Sequence, residues 1–337
     1  MIVSFAIVAY NAEKTLPSLL QDLCAQEYPH EKIEVLLIDS TSSDGTRKVM
    51  EDFAAEDHGF KNVLLLDNPG KTLPCGCNVA LKNYTGDAIV RLDAHANIDP
   101  DFISKNVEIL NSGEDISGGQ VESVLTNDTP FQRTLLLAEN SAFCGGIASF
   151  RRLTERAYVN TMAFAMYRRE VYDKAGLYNE NLARTEDNDM SYRIGLAGYK
   201  MCCDPVIKTL RVTRPSFKAL LRQKYLNGYW IGKTMGIQPK CFSLFHFVPF
   251  VFVLGIIFTT VLSCVGFPWL TYLMWGAYAL AAVGAAVLDI RRVKFDWTHL
   301  LLPFVFLALH VFYGTGTLVG LIELPFWLKK IKNRNGN

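Results

Sequence analysis

The sequence predicts an α/β domain, a mostly parallel sheet flanked by helices, followed by C-terminal transmembrane helices. Three observations carry that prediction. Short runs rich in Val, Ile and Leu alternate with helical patterns through the front of the chain, which is the signature of βαβ units. Half of the 337 residues are hydrophobic, yet no Asp, Glu, Lys or Arg occurs from Leu244 to Leu288, and a second apolar run extends from Leu300 to Ile322. At roughly 20 residues per crossing, the first run is long enough for two spans and the second for one. Charge is also uneven beneath a net value of +1. Residues 204–243 carry Lys208, Arg211, Arg214, Lys218, Arg222, Lys224, Lys233 and Lys240 against Asp204 alone. A basic stretch directly before an apolar block is what the cytoplasmic membrane surface attracts.

The elements follow in order. "IVSFAIVAYN" reads as a strand, Thr15 to Gln26 as a helix, and "IEVLLIDSTSSDGT" as a second strand ending in polar turn residues. "RKVMEDFAAED" is helical, "NVLLLDNP" a third strand, "CGCNVALKNY" a helix and "DAIVRLDAH" a fourth strand. In open sheets of this kind ligands collect at the carboxyl ends of the strands, and Asp39, Lys71, Asp93 and His95 fall there or just beyond. Further on, "SGGQVESVLT" reads as a strand and "CGGIASFRR" as a Gly-rich loop. "AFAMYRREVYDKAGLYNENLARTEDNDMSYRIGLAGYK" reads as two helices joined by an acidic loop. Phe217, Leu220, Leu221 and Tyr225 share one helical face with Lys218, Arg222 and Lys224 interleaved, which fits a helix lying at the membrane surface.

The expected division is a catalytic domain over 1–215, a basic amphipathic segment over 216–243, a membrane region over 244–328 and a basic tail over 329–337. Crossings are expected near 244–266, 268–288 and 300–322. With no basic leader before "MIVSFAIVAYNAEK", the front domain is expected in the cytosol. Three crossings would then place "KKIKNR" outside, against the positive-inside tendency. Either the last run bends back at "YGTG" (313–316), or one apolar segment only lies in the interface, or the tendency does not hold for this chain. The eight Cys show no paired CxxC spacing and read as reduced and structural.

Asp93 and His95 are separated by one alanine, so in an extended segment both side chains point to one side. A hard oxygen and an imidazole suit Mn²⁺, and Mg²⁺ when phosphate oxygens and water complete the shell; the alternative is a turn capped by Asp93. Glu186, Asp187 and Asp189 precede a helix closed by Gly198. Carboxylates are favoured at a helix N-terminus, and one beside another has a raised pKa, which suits a general base. Asp39 ends its strand as an acceptor for a base or ribose edge. No G-x-G-x-x-G follows a strand and no G-x-x-x-x-G-K-S/T occurs, which argues against dehydrogenase, P-loop and nucleotidyltransferase readings.

Taken together, "FAIVAYNAEKTL", "VLLIDSTSSDGT", "GDAIVRLDAHANIDPDFI", "AFAMYRREVYDKAGLYNENL" and "TEDNDMSYRI" resemble the family 2 inverting glycosyltransferases of GT-A fold. The resemblance covers roughly residues 1–230 and is nearest to membrane-bound, succinoglycan-type exopolysaccharide members. It implies that Ala9, Tyr10, Asp39, Lys71 and Asp93 surround the donor nucleotide, and that Asp93 and His95 hold a divalent ion, Mn²⁺ or Mg²⁺. His95 stands where most members carry a second Asp. Asp187, with Glu186 beside it, would be the catalytic base, and Gly145, Gly146, Gln223 and Trp230 would lie toward the acceptor. "RQKYLNGYW" lacks the Arg-Trp pair of processive synthases, which favours transfer of a single sugar.

The implied reaction moves one sugar from a nucleotide-sugar donor, a UDP-sugar by expectation, to a lipid-linked saccharide acceptor in extracellular or capsular polysaccharide assembly. Membrane lipids and polysaccharide-assembly proteins are the expected partners, and nucleic acid is not. The expected location is a bacterial cytoplasmic membrane, with several passes and the catalytic domain in the cytosol. Two other readings stand beside this one: a polyprenyl-phosphate sugar transferase and a catalytically silent membrane assembly module.

Overall fold

In the computed structural model, residues 1–125, 127–144, 153–213 and 216–335 are described. The chain divides into two units, Met1–Val124 with Ala148–Val212, and Leu125–Ile147 with Thr213–Asn337.

The first unit is a nine-stranded mixed sheet flanked by helices. Its elements in chain order are β1 (Val3–Ala9), α1 (Leu16–Cys24), β2 (Ile33–Asp39), α2 (Thr46–Ala55), β3 (Asn62–Asp67), α3 (Leu73–Asn83), β4 (Ala88–Asp93), β5 (Ala96–Ile98), α4 (Phe102–Asn111) and β6 (Ile116–Val124). After α5 (Pro130–Asn140), which groups with the other unit, come β7 (Ala157–Val159), β8 (Met166–Arg168), α6 (Arg169–Ala175), α7 (Glu186–Leu196) and β9 (Met201–Val212).

The strand order is β3-β2-β1-β4-β8-β6-β9-β5, with β7 also on β9. β1 and β2 are buried along their whole length, as central parallel strands covered on both faces must be. Helix α1 shows why a helix covers them: Leu16, Leu19, Leu20 and Leu23 recur at helical spacing and all are buried, one apolar stripe against the sheet. Parallel pairing aligns Ala9 with Asp39, Asp39 with Asp67, and Val8 with Asp93. The carboxyl ends of β1 to β4 therefore share one edge.

Beyond β4 the pairing changes. β8 runs antiparallel to both β4 and β6, and the short β5 pairs antiparallel with β9. Four strands were not foreseen: β5, β7 and β8, each three residues long and too short to show a period, and β9. β8 lies in the stretch read as helix, and β9 carries charged residues and a proline that break its apolar run.

The second unit is helical: α5, α8 (Phe217–Thr234), α9 (Val248–Cys264), α10 (Trp269–Ile290) and α11 (Leu302–Asn335). Leu135, Ala138, Leu220, Ala282, Ala286, Leu302, Val305, Phe306 and Leu309 form its core. Segment 125–144, expected within the catalytic domain, thus groups with the C-terminal helices, because α5 buries Leu135 and Ala138 among them. Three stretches are long and apolar enough to cross a membrane, Leu244–Cys264, Trp269–Ile290 and Trp297–Asn333.

The chain reversal considered at "YGTG" is not there: α11 runs unbroken through 313–316. The glycines serve packing instead. A Cβ on Gly314 would come within 2.1 Å of the Pro249 carbonyl oxygen, one on Gly316 within 2.1 Å of that of Tyr225, and one on Gly228 within 2.0 Å of that of Tyr313. Without side chains, α8 and α9 approach α11 backbone to backbone. The face of α8 that was expected against lipid is, over much of its length, occupied by α11.

Candidate active site

Two loops build the floor of the site. After β1, the Ala12 N–H donates to Thr46 Oγ1 at 2.7 Å, and Asn11 Oδ1 accepts from the Ser43 N–H at 2.8 Å. In return the Glu13 carboxylate accepts from the Gly45 N–H at 3.1 Å. The polar residues that follow each strand in the sequence thus latch one loop to the other. Asn68 continues the seam past β3: its N–H donates to the Asp39 carbonyl and its buried amide donates to Ser40 Oγ and the Thr72 carbonyl. Asn11, Thr41 and Lys71, one in each loop after β1, β2 and β3, have left-handed backbone with φ of 49°, 63° and 61°. Strain of this kind persists only where its surroundings fix it, and it gathers at functional edges.

On this edge Asp39 is almost buried and its Oδ1 accepts from the Ser42 N–H at 3.2 Å. Tyr10, just past β1, is 60% exposed, and Lys71 is exposed. Asp67 ends β3 in the same row, but it pairs with Arg47 of α2 at 2.5 Å. It therefore reads as a structural carboxylate.

The centre of the site is Arg91, which the sequence reading passed over. Its side chain is only 14% exposed and sits among Cys77, Tyr172 and Tyr178. The guanidinium reaches both oxygens of Asp187 at 3.3 Å through Nη2 and stands 3.6 Å from Asp93 Oδ1 through Nη1. One cation on β4 thus draws together a carboxylate from its own strand and one from the first turn of α7. Nη1 has no hydrogen-bond partner although it is buried. An Arg inside the apolar run "AIVRLD" was the available signal, because a cation in a parallel strand covered on both faces must find an acid.

The acidic cluster is not a loop before a helix. Glu186, Asp187 and Asp189 form the first turn of α7 itself, where exposed N–H groups and the helix dipole favour them. The structure gives each a different environment. Asp189 is buried and bound by Arg193 one turn on, at 3.0 Å. Glu186 is buried with Oε2 unpartnered; burial and then the Asp187 charge push its carboxyl up to about 8. Asp187 remains 44% exposed, and is the one of the three that an incoming hydroxyl can reach. Asn78 of α3 fixes the approach to α7 by exchanging hydrogen bonds with the Tyr178 backbone and donating to the Glu180 carboxylate.

Asp93 and His95 are adjacent but not in one extended segment. Asp93 closes β4, and His95 lies in the two-residue turn from which β5 leaves to pair with β9. The period-two argument fails there because the chain changes pairing partner. Among the described residues no group of three or more His, Cys, Asp or Glu is placed to hold a metal. The donor set, one partly exposed carboxylate and one imidazole, still fits an ion that takes its other ligands from substrate phosphates and water.

The remaining expectations fall elsewhere. Gly145 and Gly146 lie outside the described residues. Gln223 and Trp230 are on α8 in the helical unit, where Trp230 packs edge-on against Trp327 of α11. Among the described residues, none of the eight cysteines is in a disulfide.

A family profile, glycosyl transferase family 2, matches residues 4–176. The chain is 23% identical over 331 residues to a dolichyl N-acetyl-alpha-D-glucosaminyl phosphate 3-beta-D-2,3-diacetamido-2,3-dideoxy-beta-D-glucuronosyltransferase of Methanococcus voltae, covering 95% of this chain and 97% of that protein. It is 27% identical over 256 residues to the succinoglycan biosynthesis protein ExoA of Rhizobium meliloti, covering 75% of each. Among solved structures, a mannosyltransferase from Pyrobaculum calidifontis in complex with GDP-Man and Mn²⁺ superimposes with a TM-score of 0.58 at 18% identity, over 94% of this chain and 87% of that one. That likeness establishes the GT-A fold.

Proposed function

The chain belongs to glycosyl transferase family 2 and is a glycosyltransferase, and from that premise we propose that it moves one sugar, with inversion, from a nucleoside-diphosphate sugar to a membrane lipid-linked saccharide. The observation that carries this reading is the Arg91 bridge, which draws Asp93 and Asp187 to one guanidinium on the edge where Asp39 also ends its strand. In this reading the donor lies over that edge. Ala9, Tyr10, Asp39 and Lys71 surround its base and ribose. Asp93 and His95 would hold a divalent ion, whose charge stabilises the departing diphosphate.

Asp187 receives the proton of the acceptor hydroxyl, a poor nucleophile until deprotonated. Because proton removal and bond formation occur on the face opposite the leaving group, the anomeric configuration inverts. Arg91 binds both oxygens of Asp187 and orients its partly exposed carboxylate toward the acceptor, while buried Glu186 stays protonated below about pH 8 and adds no second negative charge. Lipid-linked or polyprenyl acceptors are suggested by the relatives' names alone; this chain is also 33% identical over 118 residues to an undecaprenyl-phosphate 4-deoxy-4-formamido-L-arabinose transferase of Aeromonas hydrophila.

The test is a panel of nucleotide sugars offered to detergent-solubilised protein with Mn²⁺ or Mg²⁺, following release of nucleoside diphosphate. The reading expects release with one donor, stimulated by a lipid-linked saccharide. Release from none of them, with the protein folded, would refute it.

A further inference from the structure

Helix α5 carries more apolar surface than the core of its unit uses. Leu135 and Ala138 belong to that core. Arg133, Leu136, Leu137 and Asn140 instead recur at i, i+3, i+4 and i+7, a second face of the same helix. That face is one wall of a cavity of about 430 Å³, within the roughly 300–1,000 Å³ that small ligands occupy. The other wall is the connection 291–296 between α10 and the turn that starts α11, through Val293, Lys294 and Phe295.

Bonds inside the helical unit hold both walls in place. Thr134 Oγ1 of α5 lies 2.8 Å from Thr298 Oγ1. Asp296, which also borders the cavity, accepts from the Thr298 N–H at 2.9 Å, and its own N–H donates to His299 Nδ1 at 3.2 Å. The Asp296 carboxylate is thus engaged in its own turn, and the cavity is formed before anything enters it.

The lining is divided in character. Leu136, Leu137, Val293 and Phe295 make it apolar, while Arg133 on one wall and Lys294 on the other are exposed cations. Arg133 reaches Asp128 at 3.4 Å, a solvent-exposed pair of a kind worth little and easily exchanged. Arg291 and Arg292, beside Lys294 in the chain, are exposed too. The connection separates the apolar stretches Trp269–Ile290 and Trp297–Asn333, and Trp297, Leu300 and Phe304 just after it are exposed. Indole rings and flanking cations gather where a bilayer has its head groups. A water-soluble anion would satisfy Arg133 and Lys294 but leave the leucines wet, and a neutral apolar molecule would do the reverse. An amphiphile with a phosphate head satisfies both, because guanidinium and ammonium groups bind phosphate oxygens and basic pockets beside membrane helices take lipid head groups.

We propose that this cavity binds an anionic membrane phospholipid, its phosphate held by Arg133 and Lys294 and the start of its acyl chains lying on Leu136, Leu137, Val293 and Phe295. The bound lipid ties α5 to the α10–α11 connection. Because it binds the folded unit, it stabilises that unit by mass action.

The test follows the melting temperature of the full chain in a neutral detergent as dioctanoyl phosphatidylglycerol is added. A saturable rise of several degrees is expected, with little or none from dioctanoyl phosphatidylcholine or inorganic phosphate at the same concentrations. Arg133→Gln combined with Lys294→Gln should raise the half-saturating concentration at least tenfold. Val293→Trp fills the cavity from an exposed position and should remove the saturable rise with both cations present. Lys218→Gln combined with Arg222→Gln removes two cations of α8 outside the cavity and should respond as wild type.

An equal rise with phosphatidylcholine would mean that negative charge is not recognised, and one with inorganic phosphate that no lipid is needed. An unchanged half-saturation in the Arg133→Gln, Lys294→Gln variant would mean that the lipid binds elsewhere. Each overturns the proposal. The comparison of lipids needs no variant, so a poorly folded one cannot hide a failure. None of these readouts depends on sugar transfer, so this proposal and the proposed reaction fail separately.

Discussion

Arg91 decides how the residues of the site act, because its guanidinium reaches both Asp93 and Asp187. Lysine keeps the charge but lacks the planar fork that serves two carboxylates at once. Arg91→Lys should therefore lower kcat about 10- to 100-fold with donor KM changed less, measured on protein whose melting temperature is checked. Arg91→Ala leaves two partly exposed carboxylates, Asp93 and Asp187, without their shared cation and should cost about 1–3 kcal/mol of stability.

Glu186 gives a prediction in pH. Its carboxyl titrates near 8 in the fold, well above the ordinary range of an unfolded chain. A raised acid is at its most favourable while protonated, so stability should fall as pH rises from about 4.5 through 8, at up to ~1.4 kcal/mol per pH unit. Glu186→Gln should flatten that slope in melting scans between pH 5 and 9. Asp39, Asp93 and the acidic cluster were legible as strand-end and helix-start acids, but the division of labour among Glu186, Asp187 and Asp189 was not. It depends on burial and on Arg91 and Arg193, partners 96 and 4 residues away.

At the scale of elements, hydrophobic runs located β1 to β4 and α1 to α3 because parallel strands covered on both faces are continuous apolar stretches. The same reading misjudged the Asp93–His95 segment, and among its alternatives at the 313–316 stretch it weighed a reversal that is not there. In the first, the strand ends and a turn begins within three residues. In the second, glycines that read as a break are contact points inside a helix of 34 residues. What distinguishes the cases is the partner backbone, which no local pattern contains. The contact is sharp enough to test: Gly228→Val would place a side chain on the Tyr313 carbonyl, where overpacking costs ~1–3 kcal/mol or more. The variant should be markedly more sensitive to proteolysis within 217–335, while Gly195→Ala, with nothing within 4 Å, should behave as wild type.

For the whole molecule, the alternation of apolar runs and helical patterns announced an α/β domain, composition announced a membrane-seeking end, and the order of five motifs supplied the family resemblance with the nucleotide binding it implies. The assignment of 125–144 to the helical unit was hidden, because α5 is amphipathic in either setting and only Leu302 to Leu309 show which core it joins. The account rests most heavily on Asp187 as the group that takes the acceptor proton. Its most direct test is the single-turnover transfer rate of Asp187→Asn against wild type, at saturating donor and with a sugar hydroxyl as acceptor. The account predicts a loss of at least a hundredfold with donor binding retained; a rate within a few-fold of wild type would contradict it.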